Sequence, residues 1–152
     1  VELEPVLLDT DTLSELSRGT HAVQARAAAY LGRFGRLTIS SVTVFERLRA
    51  YRSAIRDGKP FERQLQAFEA LVASSVVLPF DQESASVAAE IWSAAPSSRR
   101  RSVGDILIAA IAVSRHLPLV TRNRRDFQHL ARDAGLALRL DDWSRAPRGS
   151  AR

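Results

Sequence analysis

Four carboxylates in this 152-residue chain stand where folding could gather them. Asp9 directly follows the apolar run Val6-Leu7-Leu8, and Asp126 comes shortly after Thr121 in Thr121-Arg122-Asn123-Arg124-Arg125-Asp126-Phe127. Asp105 opens the apolar stretch from Ile106 to Val113, and Glu46 sits beside Phe45, about one helical turn beyond Leu37-Thr38-Ile39-Ser40. Carboxylates directed to one end of one sheet repel each other unless a cation lies between them. Hard oxygen ligands without His or Cys suit Mg2+ or Mn2+ and not zinc. An ion so held lowers the pKa of its water and neutralises charge on a phosphoryl oxygen. The chemistry that needs this is hydrolysis of a phosphodiester or phosphate ester.

Each acid also has a purely structural use. Asp9 or Asp11 can cap a short helix beginning near Thr12, and Asp126 can cap a later one. Asp105 in a first helical turn suits the helix dipole, and Glu46 can pair with Arg49 at i, i+3. Jointly these uses explain less. They leave Glu46 within an apolar-rich helix and Asp105 at the front of a helix that should be buried.

The elements that must position these acids follow from periodicity. Short apolar runs at 6–8, 37–40, 76–80, 117–121 and 137–140 read as strands, with Pro79 placing the third near an edge. Helical spacing fills roughly 12–17, 21–34, 42–57, 60–74, 83–95, 103–116 and 126–134. Within 42–57, Val44, Phe45, Leu48, Tyr51 and Ile55 form the apolar rhythm, with Arg47, Arg49 and Arg56 interleaved. Ile106 to Val113 is apolar all round, which predicts a helix sandwiched in the core. Strands alternating with helices indicate an α/β fold with a mainly parallel sheet. Such sheets place ligand sites beyond the carboxyl ends of their strands.

Composition excludes more than it assigns. With 45% hydrophobic and 26% charged residues, the chain is that of a folded globular protein. Twenty-two basic against 17 acidic residues give +5, compatible with a polyanionic partner. Lys59 is the only lysine; arginine is the better bidentate phosphate ligand, yet a G+C-rich genome gives the same bias. The lack of Cys removes disulfides, thiolate zinc sites and a cysteine nucleophile. His21, His116 and His129 show no metal-ligand spacing. No apolar run is long enough for a bilayer, and Val1-Glu2-Leu3-Glu4-Pro5 shows no leader pattern, so the expectation is a cytoplasmic protein without membrane association. One domain over 1–143 is expected, followed by a basic, disordered tail over 144–152.

Four segments carry a resemblance. Val6-Leu7-Leu8-Asp9-Thr10-Asp11-Thr12-Leu13-Ser14-Glu15-Leu16 resembles the opening motif of PIN-domain proteins of the VapC toxin type. Ser41-Val42-Thr43-Val44-Phe45-Glu46-Arg47-Leu48 is similar to their second acidic motif, and Gly104-Asp105-Ile106-Leu107-Ile108-Ala109-Ala110 to the third. Leu119-Val120-Thr121-Arg122-Asn123-Arg124-Arg125-Asp126-Phe127 resembles the fourth and is the most specific match. All four occur in family order. The resemblance implies a PIN-like three-layer sandwich whose five-stranded sheet runs in the order 3-2-1-4-5. It implies a Mg2+- or Mn2+-dependent endoribonuclease acting as the toxin of a toxin–antitoxin pair. Asp9, Glu46, Asp105 and Asp126 become the metal-binding, catalytic acids, with Thr121 and Asn123 orienting ligands or the attacking water. In-line attack on RNA would leave a 5′-phosphate and a 3′-hydroxyl. A homodimer and a cognate VapB-type antitoxin are the implied partners.

Two positions depart from the family pattern. Asp11 stands where Asn or another small polar residue is more usual, and adds a fifth acid or caps the helix. Gly104 stands where Asn is frequent. Arg122, Arg124 and Arg125 are the better candidates for RNA phosphates; Arg99-Arg100-Arg101 is either a second set or a solvated loop. Trp92 and Trp143 read as packing residues. Two other readings compete. Leu8-Asp9-Thr10-Asp11 also resembles the nucleophile motif of haloacid dehalogenase-type phosphatases, but Leu13 replaces the required Thr or Val and Lys59 lies in a turn between helices. A catalytically silent PIN domain serving as an RNA-binding or scaffold module would keep the same acids.

Overall fold

Strands and helices alternate through the computed structural model, which describes residues 3–100 and 102–145. In order they are β1 (Leu7–Leu8), α1 (Thr10–Arg18), α2 (His21–Phe34), β2 (Thr38–Ser40), α3 (Ser41–Arg56), α4 (Glu62–Ala73), β3 (Val76–Leu78), α5 (Gln82–Ala94), α6 (Val103–Ser114), β4 (Leu119–Val120), α7 (Arg124–Asp133) and β5 (Leu140–Asp141). Side-chain caps set several helix starts. Asp9, Ser40 and Asp81 accept the amides of Thr12, Thr43 and Ser84 and so begin α1, α3 and α5. Residues 146–152, most of the expected basic tail, lie outside the described residues, as does Arg101.

Every strand pairing is parallel. β1 pairs with β4 and β4 with β5, while β2 pairs with β3. β1 also lies beside β2, which gives the order 3-2-1-4-5. Between β1 and β2, however, no backbone ladder closes among the described residues, so the hydrogen bonding is in two pieces and not one five-strand ladder. The strands are also shorter than the apolar runs suggested, and the last lies at Leu140–Asp141 instead of 137–140. α1 and α7 each start two residues earlier than expected. None of the described helices is long and apolar enough to cross a membrane.

Alternation along the short strands builds the two faces. Leu7 and Leu119 join the cluster around α6, with Ile91, Ile111 and Phe127, whereas Leu8 and Val120 join Leu13, Val23, Tyr30 and Phe68 on the other side. α6 is buried as its composition predicts, with Ala109, Ala110, Ile111 and Ala112 fully enclosed. Trp143 closes the second cluster against Tyr30, their ring centroids 5.7 Å apart. Helices thus cover both faces of a parallel sheet, and all the strands deliver their carboxyl ends to one edge.

The end of α6 carries the one strained backbone position among the non-glycine residues described. The amides of His116 and Leu117 return to the carbonyls of Val113 and Ala112, closing a Schellman turn, and His116 takes φ 54° where glycine is the usual residue. His116→Gly is therefore expected to stabilise the fold by about 0.5–1 kcal/mol, and His116→Val to destabilise it. Urea unfolding midpoints with unchanged slope check both signs.

Candidate active site

Asp9 is at once a helix cap and a buried acid. Its Oδ1 accepts the Thr12 amide at 2.8 Å, while its own amide donates to the Val120 carbonyl at 3.1 Å. The Thr12 hydroxyl donates to that same carbonyl at 3.0 Å, tying the start of α1 to β4. Only 3% of Asp9 is exposed, and this burial pushes its carboxyl above the ordinary value of 3.8. The Thr121 hydroxyl and the Thr12 amide and hydroxyl oppose that rise; the charge of Asp11 adds to it. Thr121 is fully buried beyond β4, and its Oγ1 accepts the Asn123 amide at 3.0 Å, shaping the turn into α7.

Glu46 enters from α3, one turn past the Ser40 cap. Its Oε1 accepts the Thr10 hydroxyl at 3.1 Å, and Thr10 Oγ1 in turn lies 3.1 Å from Thr43 Oγ1. Behind it, Ser40 Oγ donates to Thr43 Oγ1 at 3.3 Å. On the opposite side Glu46 lies against α6 at Gly104. A Cβ built there would fall 2.9 Å from Oε2, closer than real Cβ contacts come. The Asn frequent at this position in the resembled family would not fit beside Glu46 as it is placed here.

Asp105, the next residue, completes the centre. Burial raises its carboxyl to about 6, with the charges of Asp9, Glu46, Asp11 and Asp126 adding to the rise in that order. Acids from α1, α3 and α7, and the cap ahead of α1, thus act on the one carboxylate of α6. Asp126 and Asp11, both in first helical turns, are exposed. Among the described residues no three of His, Cys, Asp and Glu converge closely enough to hold an ion as they stand. The donor set nonetheless fits a hard divalent cation, because every member is a carboxylate and their mutual repulsion is what a cation would relieve. Glu46, Asp105, Phe45, Arg49 and Val103 line an open groove of about 530 Å³.

A family model for the PIN domain matches residues 6–133. The chain belongs to the PIN-domain family. The tRNA(fMet)-specific endonuclease VapC of Shigella flexneri is 36% identical over 112 residues, covering 72% of this chain and 77% of that protein, so the domain is of VapC type. Among solved structures, DNA-bound VapBC from Salmonella typhimurium shares the fold with a TM-score of 0.70 at 24% identity, over 93% of this chain and 99% of that one. VapBC-1 from nontypeable Haemophilus influenzae does so at 0.70 and 21%, over 93% and 100%. FitAcB from Neisseria gonorrhoeae gives 0.68 and 22%, over 93% and 99%.

In this PIN domain the expected basic residues are less free than their sequence positions suggest. Arg122 Nη1 pairs with Glu15 Oε1 at 2.8 Å, and Glu15 also holds Arg18. Arg124 is half-buried and Arg125 exposed. Arg99 pairs with Asp133, and Arg100 donates to the Trp92 carbonyl and covers its ring. Arg49 lies over the Phe45 ring, 5.4 Å from its centroid, and Glu46 takes the Thr10 hydroxyl, not Arg49, as its partner. Phe45 itself is 61% exposed, which corrects its expected place on the packed apolar face of α3. Thr10, Thr43 and Gly104 were not identifiable as site residues from spacing; the Gly104 departure was the one visible sign of them.

The raised value of Asp105 makes a stability statement. Folding favours its protonated form, so its contribution is fully present below about pH 4 and is lost as the pH rises through about 6. Asp105→Asn is thus expected to match the parent protein near pH 4 and to exceed it by about 1–2 kcal/mol at pH 7.5 without divalent cations, discounted for the group's partial exposure. Urea unfolding in chelator across this range tests it. A difference that does not change with pH overturns the assignment of a raised carboxyl.

Proposed function

We propose that this VapC-type PIN domain is the endoribonuclease toxin of a toxin–antitoxin pair, hydrolysing RNA phosphodiester bonds with Mg2+ or Mn2+. The observation that carries the reading is the gathering of carboxylates around Asp105 at the carboxyl edge of the sheet, beside an open groove. A relative's name supports the substrate class, because the 36% identical VapC acts on a tRNA. Asp9, Asp105, Glu46 and Asp126 would hold the cation, which when bound supplies charge neutralisation at the phosphoryl oxygen and a water of lowered pKa. Thr121 shapes the turn that presents Asn123 and keeps Asp9 oriented by its hydroxyl. Asn123 stands at the N-cap of α7 with no side-chain capping bond, so its amide is available to orient a ligand or the attacking water. Arg122, Arg124 and Arg125, and as a second set the run Arg99-Arg100-Arg101, would meet RNA phosphates.

The same reading carries the partners. A VapB-type antitoxin is supported by the VapBC complexes among the similar folds, and a homodimer and a cytoplasmic location complete the proposal. Residues 1–143 would form the one folded domain, with a basic tail beyond. A second reading, a catalytically silent RNA-binding or scaffold module, would keep the same acids without turnover.

Cleavage of an RNA panel that includes tRNAs separates the two. The protein should cut in Mg2+ or Mn2+ and lose activity in chelator, while Asp9→Asn and Asp126→Asn each reduce cleavage about a hundredfold or more. Equal activity in all three proteins would sink the site assignment. Binding of RNA without cleavage in either metal would establish the silent module instead.

A further inference from the structure

Glu46 occupies a position that electrostatics alone would not select. Its charge raises the carboxyl of Asp105, so the two repel across the groove, and a glutamate has enough free torsions to swing its carboxylate into solvent. Two features hold it in place. From one side comes a chain of hydroxyls whose donors can all run one way: Ser40 to Thr43 at 3.3 Å, Thr43 to Thr10 at 3.1 Å, and Thr10 to Glu46 Oε1 at 3.1 Å. The Thr43 amide, donating to Ser40 Oγ at 3.1 Å, anchors its far end. Hydroxyls aligned in this way polarise one another, and the last donates to a charged acceptor. From the other side, Gly104 presents no Cβ, and the carboxylate lies where one would intrude, at 2.9 Å from Oε2 and 3.2 Å from Oε1.

The chain also spans a structural gap. Thr10 opens α1 after β1, while Ser40 ends β2 and Thr43 lies in the first turn of α3, and between β1 and β2 no backbone ladder closes among the described residues. Side-chain hydroxyls therefore set the relation between the two segments at the level of the acids. Glu46 meets Thr10 from there and Gly104 in the first turn of α6.

We propose that Thr10 and Gly104 are positioning residues that present the Glu46 carboxylate to the divalent-cation site, Thr10 by aiming a hydrogen bond at it and Gly104 by leaving it room. The inference rests on the cation reading given above. It concerns how this chain sets one ligand, and the residues involved touch neither substrate nor reacting atoms.

The test is Mn2+ titration of the metal-free protein, run beside urea unfolding, on Thr10→Val, Gly104→Ala, Glu46→Asp and the Gly104→Ala, Glu46→Asp double variant. Gly32→Ala, a helical glycine with open space around it, is the control. Thr10→Val and Gly104→Ala should each weaken Mn2+ binding about tenfold, and Gly32→Ala should leave it unchanged. In the urea cycle, Gly104→Ala should become more favourable once Glu46→Asp has withdrawn the carboxylate, a non-additivity expected only of groups in contact. Unaltered Mn2+ affinity in Thr10→Val and Gly104→Ala overturns the positioning role. Additive unfolding midpoints overturn the contact on which Gly104's part depends. If the unsubstituted protein binds neither Mn2+ nor Mg2+, the cation reading fails, and the urea cycle still decides the Glu46–Gly104 contact.

Discussion

Like charges held close together at the rim of a half-dry groove are the constraint around which the rest of this domain is arranged. Asp105 feels four other carboxylates, and its carboxyl is raised to about 6 by burial and by them. The fold offsets part of that repulsion with its own backbone. Asp9 caps α1, Asp105 lies in the first turn of α6, and Asp126 lies in the first turn of α7. Each therefore sits at the positive end of a helix, where a negative charge is favoured. Parallel strands make this possible, because every strand-to-helix turn falls on the same edge of the sheet. Glu46 is the exception: it comes from the second turn of α3 and depends on side chains instead.

Much of this architecture was legible in the residues, and for identifiable reasons. The short apolar runs around Leu7, Ile39 and Val120 and the all-apolar stretch of α6 record which surfaces are covered on two sides, and burial follows them, whereas β3 leaves Val76 exposed and Val77 half-buried. The acids were legible because Asp9, Glu46 and Asp126 follow apolar strand runs and Asp105 opens an apolar helix. Capping and site membership, treated as alternatives for Asp9, are in fact one arrangement: the Oδ1 that accepts the Thr12 amide belongs to the same buried carboxylate that Asp105 feels. What sequence did not show is of two kinds. The hydroxyl chain joins residues 10, 40, 43 and 46 across a large separation, and no local spacing reports a long-range contact. Phe45 kept the helical rhythm, yet rhythm identifies a face without saying what covers it, and this face borders an open groove. The shortness of β1 and the missing β1–β2 ladder have the same origin, since backbone pairing is settled by the partner strand and not by the run itself.

The net charge of +5 acquires a spatial meaning in this setting. Three of the arginines fall within residues 145–152, and the remaining chain carries 19 basic against 17 acidic residues. If Asp9, Glu46, Asp105 and Asp126 are taken as cation ligands, 19 stand against 13 on the rest of that surface. A basic surface around an acidic centre attracts a polyanion, but it also endangers the centre, because any nearby guanidinium can swing in and take the place of a cation. Arg122 lines a cleft with Asp11 and Asn123. Its guanidinium pairs with Glu15. The Thr20 hydroxyl, donating to Glu15 Oε2 at 2.7 Å, is the main influence that lowers its carboxyl, with the charges of Arg122 and Arg18 acting the same way. Glu15 is therefore favoured in its ionised form, where burial pushes Asp9 and Asp105 toward protonation, and it is the partner that Arg122 takes. One acid outside the cluster thus engages the cationic side chain that shares a cleft with Asp11.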